Sequence, residues 1–205
     1  MIEKVKSDIP AYILAGGDSI RFGENKALYI YRGMPLIMHL INSVEPLVSS
    51  LNIVSKSKSD FSDLNIPVLE DSLNIQTPLA GILRGLEDAD GWGLFLACDM
   101  PFLNRDIIIS LLDAIDDTSE DDISAVVASS PRGVLQPMVA CYHSSGIPAL
   151  KLSIENNISV KGWLEVSRIK TVSFDDEEPF RNVNRKSELE DSTDQEIESK
   201  SHRNF

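Results

Sequence analysis

Short apolar runs recur along this chain, each followed by a stretch of helical periodicity, and that alternation leaves few architectures open. The runs are IPAYILA (residues 9–15), LNIVS (51–55), IPVLE (66–70), GLFLAC (93–98), ISAVVA (123–128), QPMVACY (136–142) and RIKTVSF (168–174). Most are apolar nearly throughout, as expected of strands covered on both faces. Between them, residues 35–48 carry Leu36, Leu40, Val44, Leu47 and Val48 at helical spacing, with Pro35 suited to a first turn and Pro46 weakening the last. Thr77 and Pro78 read as the cap and first residue of a second helix. Asn104 caps a third, whose core face is Ile107, Ile108, Leu111, Leu112 and Ile115. Residues 144–155 and 159–165 are predicted as short helices. The fold class expected is α/β, a mainly parallel central sheet between two helical layers.

With 205 residues, 42% of them hydrophobic, the chain can bury one sizeable core. We expect a single domain over 1–184. From about Asn184 apolar residues almost vanish, so 185–205 is expected to be a polar tail, a short helix at most. The run DDTSEDD (116–122) reads as a solvated turn. No apolar run approaches the roughly 20 residues that cross a bilayer. MIEKVKSDIP lacks the apolar segment of a signal peptide, so a cytoplasmic location is expected. The formal net charge of −13 argues against nucleic acid and anionic membranes as partners. An anionic ligand would have to be held by a local device. Cys98 and Cys141, the only cysteines, fit buried free thiols. His39, His143 and His202 are not spaced as metal ligands or as a catalytic pair.

The local device is visible at the end of the first strand, in AYILAGGDSIRFGENKA (11–27). In an open α/β sheet, ligands bind beyond the carboxyl ends of the strands. Gly16 and Gly17 let the backbone turn and approach a ligand with no Cβ in the way, so that N–H groups can face phosphate oxygens. Arg21 adds a bidentate fork and Lys26 a mobile point charge. The Walker pattern is absent, since Gly23 precedes Glu24, and adjacent glycines rule out G-x-G-x-x-G. Asp99, at the end of LFLAC and before Met100-Pro101, stands where a carboxylate could hold Mg²⁺ against phosphate charge.

The whole string LAGGDSIRFGENKAL resembles the signature L-A-G-G-x-S-x-R-M-G-x-x-K of the molybdenum cofactor guanylyltransferase family, with Phe22 in place of methionine. LACDMPFL is similar to that family's second signature, and LEDSLNIQTPLAGI (69–82) to its E-D-x…G-P-L-A-G block, with Thr77 for a glycine. More weakly, LQPMVACYH (135–143) and FRNVNRKSEL (180–189) resemble its glutamine-proline strand and its N-x-N-T-P-E-E-L ending. The resemblance implies a Rossmann-like α/β/α nucleotidyltransferase. It gives nucleotide binding to Leu14, Ala15, Gly16, Gly17, Lys26, Asp71 and Asp99, catalysis to Arg21, Lys26 and Asp99, and the magnesium ligand to Asp99. Departures fall at Ser55-Lys56-Ser57, where the family tends to carry an asparagine, at Asn157-Ile158, and at Arg185-Lys186 for Thr-Pro. They leave the nucleotide end intact and bear on the acceptor end.

The implied reaction is transfer of GMP from GTP to the phosphate of molybdenum-molybdopterin, with Mg²⁺ as cofactor and release of pyrophosphate. Molybdoenzymes or cofactor-insertion proteins are the further partners it implies. The glycine loop is shared by pterin cytidylyltransferases, phospholactate guanylyltransferases and sugar-phosphate nucleotidyltransferases, so these readings stay open, as does a non-catalytic nucleotide-binding adaptor.

Overall fold

A computed structural model describes residues 7–16, 25–73, 75–116 and 122–189. The first strand, β1 (Ala11–Leu14), lies inside a seven-stranded sheet, third from one edge. It pairs in parallel with β4 (Leu51–Ser55) on one side and β6 (Trp92–Ala97) on the other, so Ile13 lies between Ile53 and Leu96. Beyond β4 comes β5 (Val68–Glu70), also parallel. Beyond β6 come β8 (Leu135–His143), β7 (Ala125–Ser129) and the edge strand β9 (Ile169–Ser173). β8 runs antiparallel to both its neighbours, and the other four ladders of the sheet are parallel.

Alternation along β1 builds the layers. Ala11 and Ile13 face α1 (Leu36–Val44) and α3 (Arg105–Asp116), packing with Leu40, Ile41, Ile108 and Leu111. Tyr12 and Leu14 face the opposite side, where α2 (Pro78–Leu86), α4 (Ile147–Glu155) and α5 (Val160–Glu165) supply Leu79, Ile82, Leu150 and Trp163. Each such side chain contributes about 1.5–3 kcal/mol on burial. The α/β/α sandwich expected from the strand pattern is therefore present. The helix caps match as well: Thr77 Oγ1 accepts the Leu79 N–H (3.4 Å) and Asn104 Oδ1 accepts the Ile107 N–H (3.1 Å).

Three features differ from the sequence reading. A small hairpin, β2 (Ile30–Tyr31) and β3 (Met34–Pro35), precedes α1. Its turn residues Arg32 and Gly33 have φ of 48° and 84°, the left-handed pair that a two-residue hairpin needs. The helix beginning at Leu36 gives way to a 3₁₀ turn, Glu45–Leu47, which holds Pro46. Third, Leu189, in the stretch expected to be a polar tail or short helix, is buried against Tyr31, Leu36 and Val183. The Glu188 carboxylate accepts the N–H groups of Asn184 (2.6 Å) and Arg185 (3.1 Å), which hold its pKa below the usual carboxylate range. The solvated turn expected within 116–122 falls mostly outside the described residues, as does the tail from 190 onward. Among the described residues no helix is long and apolar enough to cross a membrane.

Candidate functional site

The carboxyl ends of β1, β4, β5 and β6 open on one edge of the sheet, where a cleft of about 360 Å³ lies. Its floor is apolar where Leu14 and Ala97 end their strands and Val54 stands one residue before the end of β4. Gly81 brings α2 close above this floor, since a Cβ there would stand 3.2 Å from Leu14 Cδ2. Pro78 and Gln76 close the same wall.

Two ion pairs line the cleft. At the β1–β6 side, Lys26 begins a single 3₁₀ turn (Lys26–Leu28), capped by Asn25, whose Oδ1 accepts the Ala27 N–H at 3.2 Å. Lys26 Nζ lies 3.1 Å from Asp99 Oδ2, with the side chains 15% and 24% exposed. Asp99 follows β6 and its carbonyl accepts the Val183 N–H (2.8 Å). That bond ties the C-terminal segment to the site and brings Asn182 to the cleft wall. The neighbouring Arg181 guanidinium lies over the Phe102 ring at 4.3 Å.

At the β4–β5 side, Asp71 follows β5 and is 7% exposed. Its Oδ1 accepts the Leu73 N–H (3.0 Å), and its Oδ2 takes Lys56 Nζ at 2.7 Å. Lys56 also donates to the Leu73 carbonyl (2.6 Å). Ser55, the last residue of β4, accepts the Asp71 N–H on its carbonyl (2.8 Å) and the Ser57 N–H on its Oγ (3.3 Å), which fixes both loops.

Of the residues expected in the site, Leu14, Ala15, Gly16, Lys26, Asp71 and Asp99 all line this cleft. Gly17 and Arg21 lie outside the described residues. Sequence reasoning did not single out Lys56, Asn182, Met138 or Cys98, which line it too. Met138 arrives there through a register break. Val127 faces Ala140 while Ala128 faces Gln136, so Pro137, Met138 and Val139 have no partner on β7, and only Val139 keeps one on β6. Proline has no N–H to give the ladder, and its carbonyl instead accepts the Tyr142 hydroxyl (2.7 Å). The glutamine-proline pair was the available signal. For Lys56 the signal was a cation directly after a strand.

The chemistry open to this cleft follows from its groups. Cys98 is not a nucleophile at neutral pH: burial, and then the adjacent Asp99 charge, push its thiol up to about 12, only partly opposed by Lys26. Among the described residues no three His, Cys, Asp or Glu side chains gather into a metal cage. Asp99 offers one partly exposed carboxylate, the donor set of a magnesium ion that takes its remaining ligands from phosphates and water. A cation beside that carboxylate, bare backbone at Gly16 and an apolar floor suit a nucleotide.

Comparison with known proteins bears on the family and the fold. Residues 11–170 match the MobA-like NTP transferase domain. The molybdenum cofactor guanylyltransferase of Cupriavidus pinatubonensis is 33% identical over 190 residues, 90% of this chain and 96% of that protein. That of Cupriavidus metallidurans is 31% identical, covering 90% and 94%. Among solved structures, molybdopterin-guanine dinucleotide biosynthesis protein A from Archaeoglobus fulgidus superposes with a TM-score of 0.77 at 22% identity, over 94% of this chain and all of that one. A CMP:2-keto-3-deoxy-manno-octonic acid synthetase complexed with CTP gives 0.72 at 10% identity, over 95% of this chain and 99% of that one. The two structures speak to the fold and the sequence relatives to the lineage: this chain belongs to the MobA-like NTP transferase family.

Proposed function

We propose that this chain transfers GMP from GTP to the terminal phosphate of molybdenum-molybdopterin, giving molybdopterin guanine dinucleotide and pyrophosphate. The observation that carries the reading is the Lys26–Asp99 pair, which lines a nucleotide-sized cleft together with Gly16. The names of the relatives at about 30% identity over nine-tenths of the chain support the base and the acceptor. A phosphate oxygen of the pterin attacks the α-phosphorus in line, the bond from that phosphorus to the β-bridging oxygen breaks, and the electron pair leaves with pyrophosphate. No protein nucleophile takes part. Lys26, with Arg21 and the Gly16 and Gly17 amides, binds the β- and γ-phosphates and stabilises the charge that collects on the leaving group. Asp99 would hold Mg²⁺, which when bound neutralises phosphate charge and polarises the α-phosphoryl group. Lys26, Asp99 and the loop thus work by positioning and electrostatics. The setting is cytoplasmic, the substrates are GTP and molybdopterin, and molybdoenzymes or cofactor-insertion proteins are the partners that take the product onward.

Incubating the protein with molybdenum-charged pterin, Mg²⁺ and labelled GTP, CTP, ATP or UTP tests this directly. The dinucleotide should form with GTP, and Asp99→Asn should slow it on the order of 100- to 1,000-fold with the fold intact by circular dichroism. Preferential use of another nucleotide, or GTP binding without pyrophosphate release, would overturn the assignment.

A further inference from the structure

The Lys56–Asp71 pair has no part in the phosphoryl chemistry above, yet it lines the same cleft. Its surroundings decide which part of a nucleotide can reach it. Lys26 and Lys56 are each matched by an aspartate, so net charge does not separate the two pairs; the carboxylates do, Asp99 being 24% exposed and Asp71 7%. The floor beside Lys56 and Asp71 is Leu14 and Val54. The pair is neutral overall, polar and directional, on an apolar shelf roofed by Pro78 and Gly81. That suits a flat heterocycle whose edge must be read.

Each partner has hydrogen-bonding capacity to spare. An ammonium has three donors, and among the described residues Lys56 gives two, to Asp71 Oδ2 and the Leu73 carbonyl. A carboxylate has about four acceptor sites, and Asp71 gives one oxygen to the Leu73 N–H and the other to Lys56. The remaining pattern is a donor next to two acceptors. Lys56 is held by its bonds to Asp71 and the Leu73 carbonyl, and its Cγ lies 4.0 Å from where a Cβ on Gly16 would stand.

We infer that Lys56 is a specificity-determining residue of this site, its ammonium donating to a carbonyl on the nucleobase while Asp71 accepts from the adjacent ring N–H and amino groups. This rests on the GTP-dependent reading above. The edge that matches is a carbonyl followed by two donors, as in guanine. An adenine placed the same way would set its amino group against the ammonium and its unprotonated ring nitrogen against the carboxylate. Selection would therefore come from repulsion as well as attraction. A site built to donate to a base rejects the analogue that cannot accept, because a buried polar group is then left unpaired.

The test measures binding of GTP, ITP and ATP by titration calorimetry with Mg²⁺, needing no pterin, on the wild-type protein, Lys56→Met and Lys56→Arg. Wild type should bind GTP tightest, ITP next because it keeps the carbonyl but loses the amino group, and ATP far more weakly. Lys56→Met should lose about 10- to 100-fold in GTP affinity and most of the GTP-over-ATP preference. Lys56→Arg should restore much of that preference. In the transfer assay the Met loss should fall on KM for GTP and not on kcat. An unchanged GTP:ATP ratio in Lys56→Met overturns this inference while the GTP reading stands. Tighter GTP binding by that variant overturns it too, since Lys56 would then be competing for Asp71. Wild-type protein that does not favour GTP overturns both.

Discussion

Two lysines matched to two aspartates divide the cleft by charge. The Lys26–Asp99 pair, partly exposed on both sides, contributes little to stability, about 0–1 kcal/mol, so its removal should separate function from folding. Lys26→Met leaves Asp99 able to take up solvent, given its 24% exposure. We expect kcat/KM to fall about 100-fold while the thermal midpoint moves by no more than a few degrees. Calorimetry beside a steady-state assay checks this, and a large drop in midpoint with activity retained would recast Lys26 as structural. The legibility of these residues differs for a physical reason. Lys26 and Asp99 stand in local strings whose chemistry can be read in place: glycines before a cation, and a strand ending in a carboxylate. Lys56 alone reads as a surface charge, because the partner that gives it meaning, Asp71, comes from another strand end. Asn182 lies in the stretch that resembles the family's N-x-N ending, but its place at the cleft wall follows only from the Val183-to-Asp99 bond.

Among the elements, α2 is the one whose placement the cleft depends on most. It starts at the Thr77 cap, passes Gly81 over Leu14, and at Gly85 meets the stacked rings of Tyr12 and Phe95, whose centroids lie 5.0 Å apart. A Cβ at Gly85 would stand 2.5 Å from Phe95 Cε1 and 3.0 Å from Tyr12 Cγ. Alanine is the better helix former, yet overpacking against two interlocked rings costs about 1–3 kcal/mol, so packing wins. Gly85→Ala should lower the urea midpoint accordingly with an unchanged slope. A stabilised variant would mean that the rings have room to shift. The helices and most strands were legible because caps and periodicity are local. The antiparallel course of β8 was not: QPMVACY has the same apolar look as the parallel strands, and direction is set by which neighbours it meets. The β2–β3 hairpin was missed although Arg32-Gly33 marks its turn, because two-residue strands leave almost no alternation to read.

For the molecule as a whole, the buried titratable groups predict an alkaline limit. Burial raises the thiol of Cys98 to about 12 and that of Cys141 further. Burial, then the charge and hydrogen bond of Asp88, raises the Tyr12 phenol, and burial raises that of Tyr142. In the unfolded chain thiols lose their protons near pH 8.5 and phenols near 10. Below about pH 8 both states keep these protons, and stability does not depend on them. Above it the unfolded chain releases protons that the folded chain retains, so the stability linked to each group declines by about 1.4 kcal/mol per pH unit. By pH 10 the Cys141 thiol alone accounts for a loss of about 2 kcal/mol, with Cys98, half-buried against the cleft, adding less, against a total of roughly 5–15 kcal/mol for a domain. The phenols then steepen the fall. Denaturant midpoints should stay level from pH 7 to 8 and drop steadily from about pH 9, with the first part of the drop flattened in a Cys98→Ala/Cys141→Ala double variant. A midpoint that held level to pH 11 would mean that these groups ionise inside the folded protein, and that the sheet is far wetter than its packing implies.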